Sequence, residues 1–146
     1  MAGHMDDVRF WDRIARRYAR HPIKDMAGYR RTLESTRERL RATDSVLEIG
    51  CGTGTTALAL APSVARLVGT DVSPEMIAIA REKADAEGRG NVRFEVTAAE
   101  HAGSGDPFDA VLAFNVLHLV PDRSSVLRGV LAASKPGGLF ISKTPC

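Results

Sequence analysis

The sequence predicts an α/β domain with a mostly parallel sheet covered by helices on both faces, and three observations predict it. Short apolar runs of strand length alternate with longer segments of helical periodicity, as repeated strand–helix units require. One such run, Val46-Leu47-Glu48-Ile49, passes straight into the glycine-rich turn Gly50-Cys51-Gly52-Thr53-Gly54, which opens a helix. The next apolar run ends on Asp71, 21 positions after Gly50. That is about where a nucleotide-binding α/β unit places the carboxylate that accepts from ribose hydroxyls.

Taken in order, Met1–His4 reads as an expression scar before a native Met5, which sets His4 apart from any site. A helix is expected over 8–20 and is broken by Pro22, and a second is expected over 26–41. Residues 1–45 thus form a helical lid segment, and 46–146 the core. The core begins with strand 46–50, helix 54–61 and strand 66–70. Helix 74–88 follows, with Ser73 as cap, Pro74 in the first turn, and Gly88 and Gly90 as the stop. Strands 92–96 and 108–114 come next, then helix 123–133, the Pro136-Gly137-Gly138 stop and strand 138–143.

Composition bounds the function. The 146 residues, 44% hydrophobic and 26% charged, suit one globular domain. No run approaches the roughly 18 apolar residues of a membrane helix, and the start does not resemble a signal peptide. Two cysteines specify no disulfide scaffold. Cys51 is expected as a small buried thiol, and no Cys/His cluster has metal-ligand spacing. A reduced, cytoplasmic setting and no membrane partner are the expectation.

The turn itself is selective. Its G-C-G-T-G pattern is one residue shorter than the G-x-G-x-x-G of dinucleotide binders and lacks the Gly-Lys-Ser/Thr of a phosphate loop. No Lys or Arg lies between Val46 and Ala65, and Glu48 would repel phosphate. A carboxylate there suits a positive group such as an amino-acid ammonium.

These residues resemble the class I S-adenosylmethionine-dependent methyltransferase family, in which hydrophobic-hydrophobic-Glu-x-Gly-x-Gly-x-Gly is the cofactor loop. The resemblance covers roughly 46–141. It extends to Phe108-Asp109-Ala110-Val111-Leu112-Ala113-Phe114-Asn115 as a fourth strand, Val116-Leu117-His118-Leu119 as the short helix after it, and Lys135-Pro136-Gly137-Gly138-Leu139-Phe140-Ile141 as the turn into a fifth. It implies a Rossmann-like three-layer sandwich that binds S-adenosylmethionine and leaves S-adenosylhomocysteine. It further implies that Gly50 and Gly52 pass the methionine part, with Glu48 holding its neighbourhood. Asp71 would take the ribose diol, and Val72 and Met76 would flank the adenine. The family commonly adds an antiparallel hairpin after the fifth strand, whereas this chain ends at Lys143-Thr144-Pro145-Cys146. A sheet truncated after the fifth strand is expected, its last strand an open edge unless a partner covers it.

One position departs from the family. Many relatives carry Asp where Ala98 stands, and that Asp accepts from the adenine amino group. Ala98 cannot do so, though Ala99 still offers its backbone N–H, and Glu100 is open to reading as a displaced carboxylate or a solvated charge. Loss of such a charge-assisted bond typically costs about 1.5–3 kcal/mol.

Residues 1–45 hold 11 Lys/Arg against 7 Asp/Glu, and 46–146 hold 9 against 11. A basic arm can contact nucleic acid, but acidic residues are interspersed and no aromatic–basic interleaving accompanies it. A small-molecule methyl acceptor is the favoured partner. The stripe Phe10, Trp11, Ile14, Ala15 and Tyr18 is expected to pack on the sheet as a lid. It also resembles the opening helix of small-molecule family members, where the Tyr reaches the cofactor carboxylate. His118, beyond the fourth strand and with a reference pKa near neutrality, is the candidate general base, with a locally satisfied helix histidine as the alternative. Asn115 is a candidate contact to substrate or to the methionine end, while His21 and His101 rank below. Two other functions stay open. A nicotinamide dehydrogenase would require the longer glycine pattern, and a degenerate methyltransferase-like domain would serve as a binding or interaction module without turnover.

Overall fold

The structure, a computed structural model, describes residues 2–20, 25–101, 105–114, 117–119 and 122–143. Five strands form one parallel sheet in the order β3-β2-β1-β4-β5. They are β1 (Ser45–Ile49), β2 (Arg66–Asp71), β3 (Val92–Val96), β4 (Phe108–Phe114) and β5 (Ser134–Lys143). The helices are α1 (Ala2–Arg20), α2 (Met26–Arg39), α3 (Thr55–Leu60), α4 (Pro74–Glu87) and α5 (Arg123–Ala133). The chain runs outward from β1 to β3, then crosses back to β4 beside β1. Two adjacent strands therefore lead their connections in opposite directions, which opens a crevice at their carboxyl ends.

Alternation along the strands assigns the layers. Val46 and Leu67 pack with Leu33 of α2, Leu58 and Leu60 of α3, and Ile77 and Ala80 of α4 on one face. Leu47, Ile49, Val68 and Val111 pack with Val126, Val130 and Ala133 of α5 on the other. The three-layer α/β sandwich is therefore present.

Most elements lie where the sequence places them, and the differences have local causes. Helix α2 ends at Arg39, because Leu40 is already extended, with its N–H bonded to the Arg37 carbonyl. The expected helix 54–61 divides into α3 and a 3-10 turn over Ala61–Ser63 that accommodates Pro62. Strand β5 begins at Ser134, which pairs with Phe108, and the ladder resumes at Ala110 opposite Leu139. The Pro136-Gly137-Gly138 segment is thus an irregularity within β5, with Gly137 at φ +75°, and not a link ahead of it.

Helix α1 departs furthest from expectation. It packs against α4 and not on the sheet: Ala15 is fully buried with Met76 and Ile79, and Trp11 leans on the same cluster. Arg16 makes a two-pronged pair with Glu82 at 2.9 and 3.0 Å. Phe10 and Tyr18 remain exposed. Helix α2 packs beside α3, where Tyr29 Oη meets Thr56 Oγ1 at 3.0 Å and Arg37 donates to the Ala59 carbonyl at 3.0 Å. Among the described residues, no helix is long and apolar enough to cross a membrane.

Candidate functional site

Three loops meet at the carboxyl edge of the sheet because their strands are in register. Glu48 of β1 stands opposite Gly69 of β2, and Asp71 at the end of β2 stands opposite Val96 of β3. The ladder continues past the strand ends, with the Cys51 N–H on the Thr70 carbonyl at 2.8 Å and the Thr97 N–H on the Asp71 carbonyl at 3.0 Å. The turn after β1, the segment 71–73 after β2 and the segment 97–101 after β3 consequently lie side by side.

Two of the turn glycines serve different needs. Gly54 has φ +81°, and a Cβ there would lie 2.8 Å from Phe94 Cζ and 3.0 Å from Ala80 Cβ. It lets α3 approach the sheet over the buried Phe94 ring. Gly52 has φ +57° and nothing within 4 Å of where its Cβ would sit. Its backbone faces open space, as close ligand approach requires.

Asp71 ties the loops together. Its Oδ2 accepts from the Gly52 N–H and its Oδ1 from the Ser73 N–H, both at 3.0 Å. Burial raises its pKa, opposed by the bonds from Ser73 and Gly52 that favour the carboxylate. Glu48 lies deeper. Only 3% exposed, it has an Oε1 atom with no hydrogen-bond partner. Burial, followed by the negative charge of Asp71, pushes its carboxyl up to about 8. A buried acid with an unmet oxygen is costly in isolation and is relieved by a cation or donor delivered to it. Thr70 Oγ1 is likewise buried and unmet. Cys51 is buried in the core cluster with Phe94, and burial raises its thiol well above its ordinary value.

The other expected residues divide. Val72 lies half-buried beside Asp71, but Met76 is 2% exposed and packed under α1. Ala98 and Ala99 are half-buried, and a 3-10 turn over Ala99–His101 carries Glu100. His101 is exposed. The backbone of His118 belongs to a 3-10 turn over Leu117–Leu119, after β4 and beside the crevice. Its side chain, together with Asn115 and His21, lies outside the described residues. Tyr18 is 52% exposed, with its ring edge-on to Trp11.

Sequence reasoning passed over two residues. Tyr29 is half-buried on α2, where its hydroxyl meets Thr56 next to the glycine turn. Burial raises its pKa, opposed by the bond to Thr56. Its only signal is an aromatic residue inside an arginine-rich helix. Gly69 reads as an ordinary strand residue, yet a Cβ there would lie 2.8 Å from Phe94 and 3.1 Å from Cys51 Cβ. A separate cleft of about 550 Å³ between α3 and α4, lined in part by Thr55, Pro62, Lys83 and Arg89, includes none of the residues above. No group of metal-binding side chains occurs among the described residues.

Comparison with known proteins adds the following. Residues 47–140 match the family described as a methyltransferase domain. Ubiquinone biosynthesis O-methyltransferase of Aeromonas salmonicida is 37% identical over 99 residues, which cover 66% of this chain and 42% of that protein. The crystal structure of the YcgJ protein from Bacillus subtilis superposes with a TM-score of 0.73 at 33% identity, covering 77% of this chain and 50% of that one. DhpI, in a complex with SAM and HEP, superposes with a TM-score of 0.78 at 25% identity over 96% of this chain and 66% of that one. The chain spans 40% to 55% of the length of the curated relatives it matches.

Proposed function

The chain belongs to the class I S-adenosylmethionine-dependent methyltransferase family, and from that premise we propose that it binds S-adenosylmethionine and methylates a small-molecule acceptor. One observation carries the proposal. A single carboxylate, Asp71, fastens the glycine turn through Gly52, while the buried, unmet Glu48 oxygen lies behind that turn. Such a cradle offers acceptors for a ribose diol and for an ammonium group.

In this reading Asp71 accepts from the ribose hydroxyls with the lone pairs that Gly52 and Ser73 leave over. Gly50 and Gly52 let the methionine part approach the backbone, and Glu48 faces its ammonium. Val72, Ala98 and Ala99 border the adenine, with Met76 supporting that wall from beneath. Tyr18 is assigned to the cofactor carboxylate and Asn115 to the methionine end or the acceptor. Bound there, S-adenosylmethionine supplies a methyl group already activated by its positive sulfur, for in-line attack by an acceptor lone pair. The protein's work is alignment and the exclusion of water. His118 takes the acceptor's proton where the acceptor must lose one. Residues 1–45 form the helical cover, and a reducing cytoplasmic setting keeps the Cys51 thiol free.

A nucleic-acid acceptor is disfavoured, because basic groups of the N-terminal arm are engaged within the molecule. Arg16 pairs with Glu82, Arg37 bonds the Ala59 carbonyl, and Arg39 bonds Ser35. Titration calorimetry with S-adenosylmethionine, S-adenosylhomocysteine and NAD tests the cofactor assignment. Binding of the first two without the third is the expected result. Silence toward all three, repeated on a longer chain, refutes it and leaves the degenerate binding module.

A further inference from the structure

Asp12, on α1, makes contacts that the proposal above does not use. Its Oδ1 accepts twice from the first turn of α4, from Ser73 Oγ and from the Glu75 N–H at 3.1 Å. Ser73 is completely buried, and its hydroxyl also accepts the Met76 N–H at 3.1 Å. The backbone N–H of the same serine donates to Asp71 Oδ1. One buried residue therefore has Asp12 on its side chain and Asp71 on its backbone. A negative group at this position also suits the positive end of the fourteen-residue helix α4.

We propose that Asp12 is a positioning residue for cofactor binding. By sharing the cap of α4 with Ser73, it fixes the backbone from which Asp71 presents its carboxylate. The inference rests on the S-adenosylmethionine reading and extends it, since it makes α1 part of the ribose subsite through a chain of hydrogen bonds. It also distinguishes Asp12 from the other fastenings of α1. Arg16 holds the helix to Glu82, and Trp11 and Ala15 pack on Met76 and Ile79, whereas Asp12 bonds the Ser73 hydroxyl.

The test compares the wild-type chain with Asp12→Ala, Asp12→Asn and Arg16→Ala. Dissociation constants are measured for S-adenosylhomocysteine and adenosine, and amide hydrogen exchange is measured at Gly52 and Ser73 without ligand. Asp12→Ala is expected to weaken both ligands by the same factor, about tenfold for one charge-assisted bond. It is also expected to speed exchange at both amides. Asp12→Asn keeps an oxygen able to accept both bonds and is expected to bind within about twofold of wild type. Arg16→Ala loosens α1 without touching Ser73 and is expected to do the same. Wild-type affinity in Asp12→Ala overturns the inference alone. An equal loss in Arg16→Ala also overturns it, because general docking of α1 then accounts for the effect. Silence toward both ligands in the wild-type chain and again in a longer chain refutes the cofactor reading and this inference with it.

Discussion

Replacing Glu48 with Gln should make the protein less sensitive to alkali. An ordinary glutamate carboxyl titrates near 4.5, and burial followed by the charge of Asp71 pushes that of Glu48 up to about 8. The folded chain therefore keeps a proton that the unfolded chain releases between those two values. Stability from this group is complete below about pH 4.5 and is lost as pH rises through about 8. Since one pH unit corresponds to 1.36 kcal/mol, the loss across that window is on the order of 4 kcal/mol. That is a large share of the roughly 5–15 kcal/mol that holds a domain together. Gln keeps the shape and has no proton to lose, so its stability should stay nearly flat over the same range. Urea midpoints for both proteins at about pH 5, 6.5 and 8.5 provide the measurement. Asp71 and Cys51 are present in both, so the difference between the two curves isolates Glu48. Parallel curves would refute the reasoning, because they would mean the carboxyl is already ionised in the folded protein.

The same chemistry predicts proton release when a cationic ligand reaches Glu48. Calorimetric titration of S-adenosylmethionine near pH 7, in buffers of different ionisation enthalpy, should report up to one proton released in the wild type and less in Glu48→Gln. Identical heats in every buffer would count against the assignment. Gly69→Ala should destabilise the fold by about 1–3 kcal/mol through collision with Phe94. Adding Phe94→Leu should recover part of that in a double-mutant cycle by urea unfolding, and strict additivity would mean the ring is not the obstacle. His118→Gln should lower kcat by about 10²- to 10⁴-fold with an acceptor that must lose a proton. It should leave the S-adenosylmethionine dissociation constant unchanged, and an unaltered pH–rate profile would remove His118 from the role of base.

The sequence by itself determined the sheet, the turn and the carboxylate after the second strand. Val46, Leu47 and Ile49, Leu67 and Val68, and Val111 to Ala113 put apolar groups on both faces of a covered sheet, in runs too short for a helix. Gly50, Gly52 and Gly54 reveal the turn because each has a positive φ, which other residues rarely adopt. The tertiary structure alone decided what depends on contacts between distant segments. Gly69 is needed because Phe94, 25 positions later, lies against it, and no local pattern encodes that. The helical stripe on α1 is legible as a face, but periodicity does not say which surface it covers. Met76 and Ile79 of α4, together with the Asp12 bonds to Ser73 and Glu75, settle that surface. Glu48 shows the same division. Its place before the glycines is a matter of sequence, whereas its retained proton follows from burial beside Asp71, and desolvation exists only once the chain has folded around it.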